Sequence, residues 1–330
     1  MRIRALAAVA AIGALALAGC STPAPSEPDE TVTITDLNVI VPADPGGGWD
    51  QTGRALADTL TGEGLVDSAP VTNIPGAGGT VGLASLATEK DPHTLMMMGL
   101  VMVGAVETNA SANRIEDNTP IARLTEEALV IVVPDASPYD TLEDLVDDIV
   151  ENGQDVTITG GSAGGADHIL VGLLLGAAGL SPEEITEKLN YIPNSGGGEA
   201  VTLLLGNNVS AGVSGVGEFV EHIEAGTMRA LAVSSEAPVD LLPDVPTIID
   251  EGYDVALTNW RGVIAPPGID EADRAALIEL VTQLHDSAAW AAVLEEKGWS
   301  DAFLAGDEFS TYLEGNITDV TQTLKDIGLI

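Results

Sequence analysis

One serine in the chain stands where a hydroxyl could be activated. Gly160-Gly161-Ser162-Ala163-Gly164 fits Gly-x-Ser-x-Gly, between the apolar stretch Val156–Thr159 and a helical run opened by Asp167 and His168. That is the setting of a hydrolase nucleophile elbow. Asp250 or Asp254 and then His285 follow in hydrolase order. His285, however, falls inside a helical pattern beside Leu284, and no His-Gly-Gly-Gly type oxyanion motif occurs. A hydroxyl and backbone N–H groups at a helix start serve anion binding equally well. Binding without catalysis is therefore expected, with a secreted serine esterase or hydrolase using Ser162 as the alternative.

The glycine pattern around Ser162 occurs four times. The first copy follows the short β-branched run Val39–Val41: Pro42 and Pro45 end the run, then come Gly46, Gly47, Gly48, Trp49 and Asp50. Asp50 or Thr52 is expected to cap the next helix, which carries Ala55, Leu56 and Leu60 inward. The second copy places Pro75-Gly76-Ala77-Gly78-Gly79-Thr80 after Val71–Ile74, and the third is the Ser162 turn. The fourth places Pro193-Asn194-Ser195-Gly196-Gly197-Gly198 after Leu189–Ile192, and a lesser turn, Ser214-Gly215-Val216-Gly217, follows Val209–Val213. Strand, glycine turn and helix start direct free N–H groups at one point, which suits an anion. A nucleotide P-loop is excluded, because Trp49 and Asp50 stand where Lys-Ser/Thr would follow. A dinucleotide fingerprint is excluded too, because Gln51 occupies its last glycine position.

These turns need a scaffold of alternating strands and helices. Further strands are expected at Thr94–Met98, Ala128–Val133, Arg229–Ser234 and Asn259–Ala265. Helices are expected at Pro138–Val150, Asp270–His285, Ala288–Lys297 and Glu308–Ile327, with an apolar loop at Leu100–Val103. The alternation predicts an α/β sheet, mostly parallel, whose ligand sits beyond the carboxyl ends of the strands. Met96–Met98 read as strand core, because alternate side chains of a strand point apart. The acid pairs Glu126-Glu127 and Asp147-Asp148 read as solvated faces. His93, His168, His222 and His285 are scattered without metal spacing, so no metal and no cofactor are expected.

With 51 Asp and Glu against 12 Lys and Arg, the net charge is -39. Such a surface repels nucleic-acid phosphates and anionic lipid. Aromatics are only 3%, which leaves the core to aliphatic side chains. At the amino end Arg2 and Arg4 precede the apolar run Ala5–Ala18, too short for a stable span and suited to a signal-peptide core. Residues 1–19 are expected to be cleaved before Cys20. The sequence Leu17-Ala18-Gly19-Cys20 resembles the bacterial lipoprotein box, which makes Cys20 a lipidation site and residues 20–30 a proline-rich tether. Cys20 is the single cysteine, so no intramolecular disulfide forms.

From Pro45 onward the blocks Pro45–Asp50, Asn73–Gly79, Gly161–Gly164, Tyr191–Glu199, Gly226–Val233, Pro246–Tyr253, Trp260–Gly262 and Ala265–Gly268 follow one another in an order that resembles the substrate-binding proteins of tripartite tricarboxylate transporters, the TctC-like or Bug family. Trp49 and the apolar segment after Gly99 depart from the small polar residues usual there. The resemblance implies a type II periplasmic-binding-protein-like fold. Two α/β lobes would be joined by crossover strands at Ala128–Val133 and Asn259–Ala265. Residues 31–133 plus 259–330 would form lobe 1, and 134–258 lobe 2. It implies a non-enzymatic, monomeric receptor, lipid-anchored at the outer face of the cytoplasmic membrane. Such a receptor would close on a small carboxylate (a tricarboxylate such as citrate, or a dicarboxylate) and deliver it to large and small TctA/TctB-like membrane subunits. The candidate contacts are Gly46, Gly47, Gly48, Trp49 and Asp50; Ala77, Gly78, Gly79 and Thr80; Gly161, Ser162, Ala163, Gly164, Gly165, Asp167 and His168; Ser195, Gly196, Gly197 and Gly198; and Ser214. None of the four main turns holds a Lys or Arg, so backbone N–H groups and helix dipoles are expected to do the binding.

Overall fold

A computed structural model describes residues 32–194 and 197–330. The signal segment, Cys20 and the whole tether lie outside the described residues, as do Ser195 and Gly196.

The strands are β1 (Asn38–Val41), β2 (Val71–Asn73), β3 (Thr94–Gly99), β4 (Thr119–Pro134), β5 (Thr157–Gly160), β6 (Asn190–Pro193), β7 (Ala211–Gly215), β8 (Met228–Val233), β9 (Thr258–Ala265) and β10 (Ser300–Ala305). The helices are α1 (Gly48–Gly62), α2 (Thr80–Leu86), α3 (Leu100–Thr108), α4 (Leu142–Asn152), α5 (Ala166–Ala177), α6 (Pro182–Lys188), α7 (Gly197–Leu205), α8 (Val216–Glu224), α9 (Glu271–His285), α10 (Ala288–Lys297) and α11 (Gly306–Asp326). The strands join in one ten-stranded sheet of order β2-β1-β3-β9-β4-β7-β5-β6, with β8 and β10 also on β4.

The sheet is more mixed than the alternation of elements implies. Its wings are parallel, β1 with β2 and β3, and β5 with β6 and β7. Every pairing that involves β4 or β9 is antiparallel. The cause is β4, which reaches nine residues earlier than the expected Ala128 start and serves both wings. From Thr119 to Ala128 it pairs with β9, and from Leu129 to Pro134 with β7 and β8. A strand that runs straight from one wing into the other meets the returning β9 head to tail. The α/β class and the periplasmic-binding-protein type of architecture stand.

Local chemistry explains the element ends. α4 starts at a capping box, with Thr141 Oγ1 accepting from Asp144 N–H at 3.1 Å and the Asp144 carboxylate accepting from Thr141 N–H at 2.9 Å. Asp144 is held below its ordinary value by those bonds. In β3 all six residues are buried, Met96–Met98 included. The segment after it is not a loop but helix α3. Leu100, Met102, Val103 and Val106 all enter the core, so an all-round apolar run is read here as helix by burial rather than by periodicity. Strand β10, between the last two helices, carries no alternation that would mark it, and its residues are half-buried or exposed.

Candidate functional site

Glycine turns from both wings line one cavity of about 300 Å³. From the first wing come Gly47, Gly48 and Trp49 at the start of α1, and Ala77, Gly78 and Gly79 before α2. From the second come Gly161, Ser162 and Ala163 between β5 and α5, Asp167 on α5, Gly197 opening α7, and Ser214 on β7. Of the sequence-predicted contacts, Gly46, Asp50, Thr80, Gly164, Gly165, His168 and Gly198 do not line it. Ser195 and Gly196 are outside the described residues.

Asp50 is a structural knot. Helix α1 begins at Gly48 with Gly47 as its cap and no side-chain capping bond, so neither Asp50 nor Thr52 caps it. Asp50 instead accepts from Gly46 N–H at 2.9 Å, Arg54 Nε at 2.9 Å and Asn73 Nδ2 at 2.8 Å. Burial pushes its carboxyl up, but the bonds from Arg54, Asn73 and Gly46 outweigh burial and hold it below the ordinary value. The carboxylate is spent mainly on the turn it ties down, with three of its about four acceptor sites occupied. Thr52 Oγ1 donates to Gly48 O at 2.9 Å.

The second turn is backbone-strained. Ala77, Gly78 and Gly79 hold φ of +49°, +61° and +92° in succession. Left-handed angles are costly for alanine, and the surroundings must enforce them. Asn109 Nδ2 and Thr80 Oγ1, both 3.0 Å away, donate to Ala77 O. Thr80 is therefore a clamp on the turn. A side chain on Gly78 would strike Ala105 Cβ at 2.4 Å, with Ser162 Cβ next at 3.4 Å. The two wings meet at this point. Helix α3 packs on the Ser162 turn: a side chain on Gly104 would lie 1.9 Å from Gly164 O, and one on Gly165 3.1 Å from Val101.

Around Ser162 the neighbours are spoken for. Asp167 accepts from Gly161 N–H at 2.6 Å and is pushed up to about 7, by burial first and then by Glu218 and Glu127. His168 Nδ1 accepts from Gly164 N–H at 3.1 Å, and its ring stacks on Tyr191 at 4.1 Å. Burial pushes His168 down to about 4, which keeps it neutral near pH 7, and it does not line the cavity. Burial, then the Asp167 charge, raises Tyr191 well above 10. Its hydroxyl donates to Gly161 O at 2.9 Å.

The hydrolase arrangement does not assemble. His285 on α9 contacts Asp286 and Asp301 and stacks on Phe303 at 4.1 Å, while Ser162 lines the cavity. Asp250 N–H donates to Thr247 Oγ1 at 3.0 Å in a local turn.

The cavity also holds charged side chains that the pattern of turns did not mark. Arg261 on β9 lines it, ion-paired to Glu127 on β4, both side chains 3% exposed. Glu127 is thus a buried partner rather than half of a solvated acid pair, and burial drives its carboxyl upward against the pull of Arg261. In a strand neighbouring residues face opposite sides, so Glu126 turns to Arg123 instead. Arg261 lies 5.4 Å from the Trp299 ring centroid, and its Nη1 has no partner among the described residues. Glu218 on α8 reaches across from the second wing to accept from Gly48 N–H at 3.1 Å, and Ser214 Oγ donates to its other oxygen. These side chains explain two glycines. A Cβ at Gly48 would lie 2.3 Å from Arg261 Nη2, and one at Gly197 2.6 Å from Glu218 Oε2. Asp44, Asn109, Asn194 and Asn259 also line it. Arg261 is the only Lys or Arg among the described lining residues.

Several known proteins are similar to this chain. Protein BugT of Bordetella pertussis is 27% identical over 324 residues, spanning 95% of each chain. MatC of Rhodopseudomonas palustris, solved with bound malate, superposes with a TM-score of 0.78 at 22% identity, over 88% of this chain and 98% of that one. A second protein of that organism, solved with adipate, gives a TM-score of 0.79 at 20% identity, over 89% and 97%. These structures share the fold. The family model described as tripartite tricarboxylate transporter family receptor, TctC, matches residues 53–329. That span includes three of the four main glycine turns and both strands that carry the buried ion pair, and with it the chain belongs to the TctC family of periplasmic solute-binding receptors.

Proposed function

We propose that this receptor captures a small carboxylate in the cavity between its two lobes and hands it to large and small integral-membrane subunits. It would do so as a monomer held by a lipid on Cys20 at the outer face of the cytoplasmic membrane. The observation that carries the reading is the convergence of Gly47, Gly78 and Ser162 from two wings on one cavity. Their N–H groups take no part in backbone hydrogen bonding among the described residues. Donors of this kind, near the N-termini of α1, α2 and α5, suit a carboxylate without a dedicated lysine. Relatives of the same fold solved with malate and adipate support the ligand class. The cavity is at the small end for ligand sites, which favours a compact acid.

A melting-temperature screen of carboxylates tests this, since a ligand at a hundred times its Kd adds about 2.7 kcal/mol. The matched variant is Gly47→Val. Gly47 has an ordinary extended φ of -78°, and a Cβ there meets only Glu218 Oε1, at 4.0 Å. The side chain would project into the cavity without disturbing the fold. Gly47→Val should melt like the parent yet lose the ligand shift. A parent that responds to no carboxylate, or a variant that responds as the parent does, would sink the reading.

A further inference from the structure

The charges inside the cavity are unbalanced for a ligand with two carboxylates. Arg261, the single cation of the described lining, is already paired to the buried Glu127. Glu218 adds a carboxylate with no cationic partner among the described residues, held by Gly48 N–H at 3.1 Å and by Ser214. The Gly197 backbone closes on it so tightly that a Cβ there would lie 2.6 Å away. Asp167 occupies Gly161 N–H in the same way at 2.6 Å. The protein's own carboxylates thus take two of the anion-binding N–H groups, one on each side of the cleft. The Gly47, Gly78 and Ser162 N–H groups stay free of backbone bonds among the described residues and can hold one carboxylate away from Glu218. A second one beside Glu218 would face a like charge in a partly enclosed cleft, where repulsion is screened less than in bulk water. A cationic nitrogen at that point meets a fixed carboxylate and forms a charge-assisted hydrogen bond.

We propose that the ligand is an amino-carboxylate, its carboxylate on the glycine N–H groups and its ammonium on Glu218. This rests on the carboxylate-receptor reading and narrows it. Specificity then comes from Glu218, which rejects dicarboxylates as much as it attracts amines.

Calorimetry on the full chain decides it with three matched series. Succinate, glutarate and adipate are compared with γ-aminobutyrate, δ-aminovalerate and ε-aminocaproate, and with butyrate, valerate and caproate. The parent should bind at least one amino acid about tenfold or more tighter than its diacid and its plain monoacid, one charge-assisted contact being enough for that ratio. Glu218→Gln, which keeps the size and an acceptor for Gly48 N–H, should erase the preference and improve diacid binding. A parent that prefers diacids or plain monoacids overturns the amino-carboxylate while leaving the carboxylate receptor standing. A preference that survives in Glu218→Gln overturns the role of Glu218. A parent that binds none of the series overturns the amino-carboxylate, and the melting-temperature screen of carboxylates then decides the receptor reading by itself. Should Glu218→Gln melt well below the parent, the parent's own ranking still decides.

Discussion

Removing one partner of the Arg261–Glu127 pair should cost far more than its single contact implies. Both side chains are 3% exposed, so Arg261→Gln leaves Glu127 as an unpaired carboxyl inside the sheet, where burial already drives it upward. Breaking a buried pair from one side costs about 3–5 kcal/mol. The unit Thr31–Ile330 unfolds with an entropy of about 0.6 kcal/mol per degree, taken at about 2.1 cal/mol/K per residue. The melting temperature should therefore fall by about 5–8 °C. Lys297→Gln removes an exposed pair, Lys297 with Glu296, and serves as the control. An exposed pair contributes about 0–1 kcal/mol, less than about 2 °C here. Arg261→Met combined with Glu127→Leu removes both charges at similar volume and should recover most of the loss. Differential scanning calorimetry on the four proteins reads all of this. An Arg261→Gln variant within about 1 °C of the parent, or a double variant no more stable than Arg261→Gln, would refute the buried-pair argument.

Two further outcomes are expected. Asp167 is raised from 3.8 to about 7, so its contribution to stability is full below about pH 3.8 and is lost as pH rises through about 7. Asp167→Asn should gain on the parent across that window, with Glu127, Glu218, Tyr191 and Arg261 unchanged around it; parallel melting curves from about pH 4 to pH 8 would contradict the shift. We further expect Cys20→Ala to release the protein from membranes, and cell fractionation in which the variant still pellets with the parent would place the anchor elsewhere.

Much of the scaffold was legible because strand and helix periods are local properties. Val39–Val41, Thr94–Met98 and Asn259–Ala265 announce themselves by β-branched or apolar runs that end at proline or glycine. The glycine turns were legible for the same reason, and twelve of the predicted contacts line the cavity. What could not be read was which charged residue meets which. Arg261 and Glu127 lie far apart in the chain and face each other only because β9 pairs antiparallel with β4, Thr125 opposite Arg261 and Glu127 opposite Asn259. Glu218 reaches Gly48 across 170 positions of sequence. Asp50 was legible as part of the turn, but its role depends on Asn73 arriving on β2. Helix α3 hid because a segment buried nearly all round carries no amphipathic stripe.

The continuous strand β4 sets the order in which the chain can fold. Its later half finds partners in β7 and β8, made from the segment that follows directly. Its earlier half pairs only with β9 and β10, and β3 likewise waits for β9, with Met96 opposite Ile264. A nascent or newly exported chain that stops short of Thr258 therefore presents two buried-type strands with open edges. Such edges invite pairing with other chains, and closing them across so long a loop is slow. The carboxy-terminal segment is thus the closing stitch of the amino-terminal wing. Chaperone protection would matter most in the interval before β9 slides between β3 and β4.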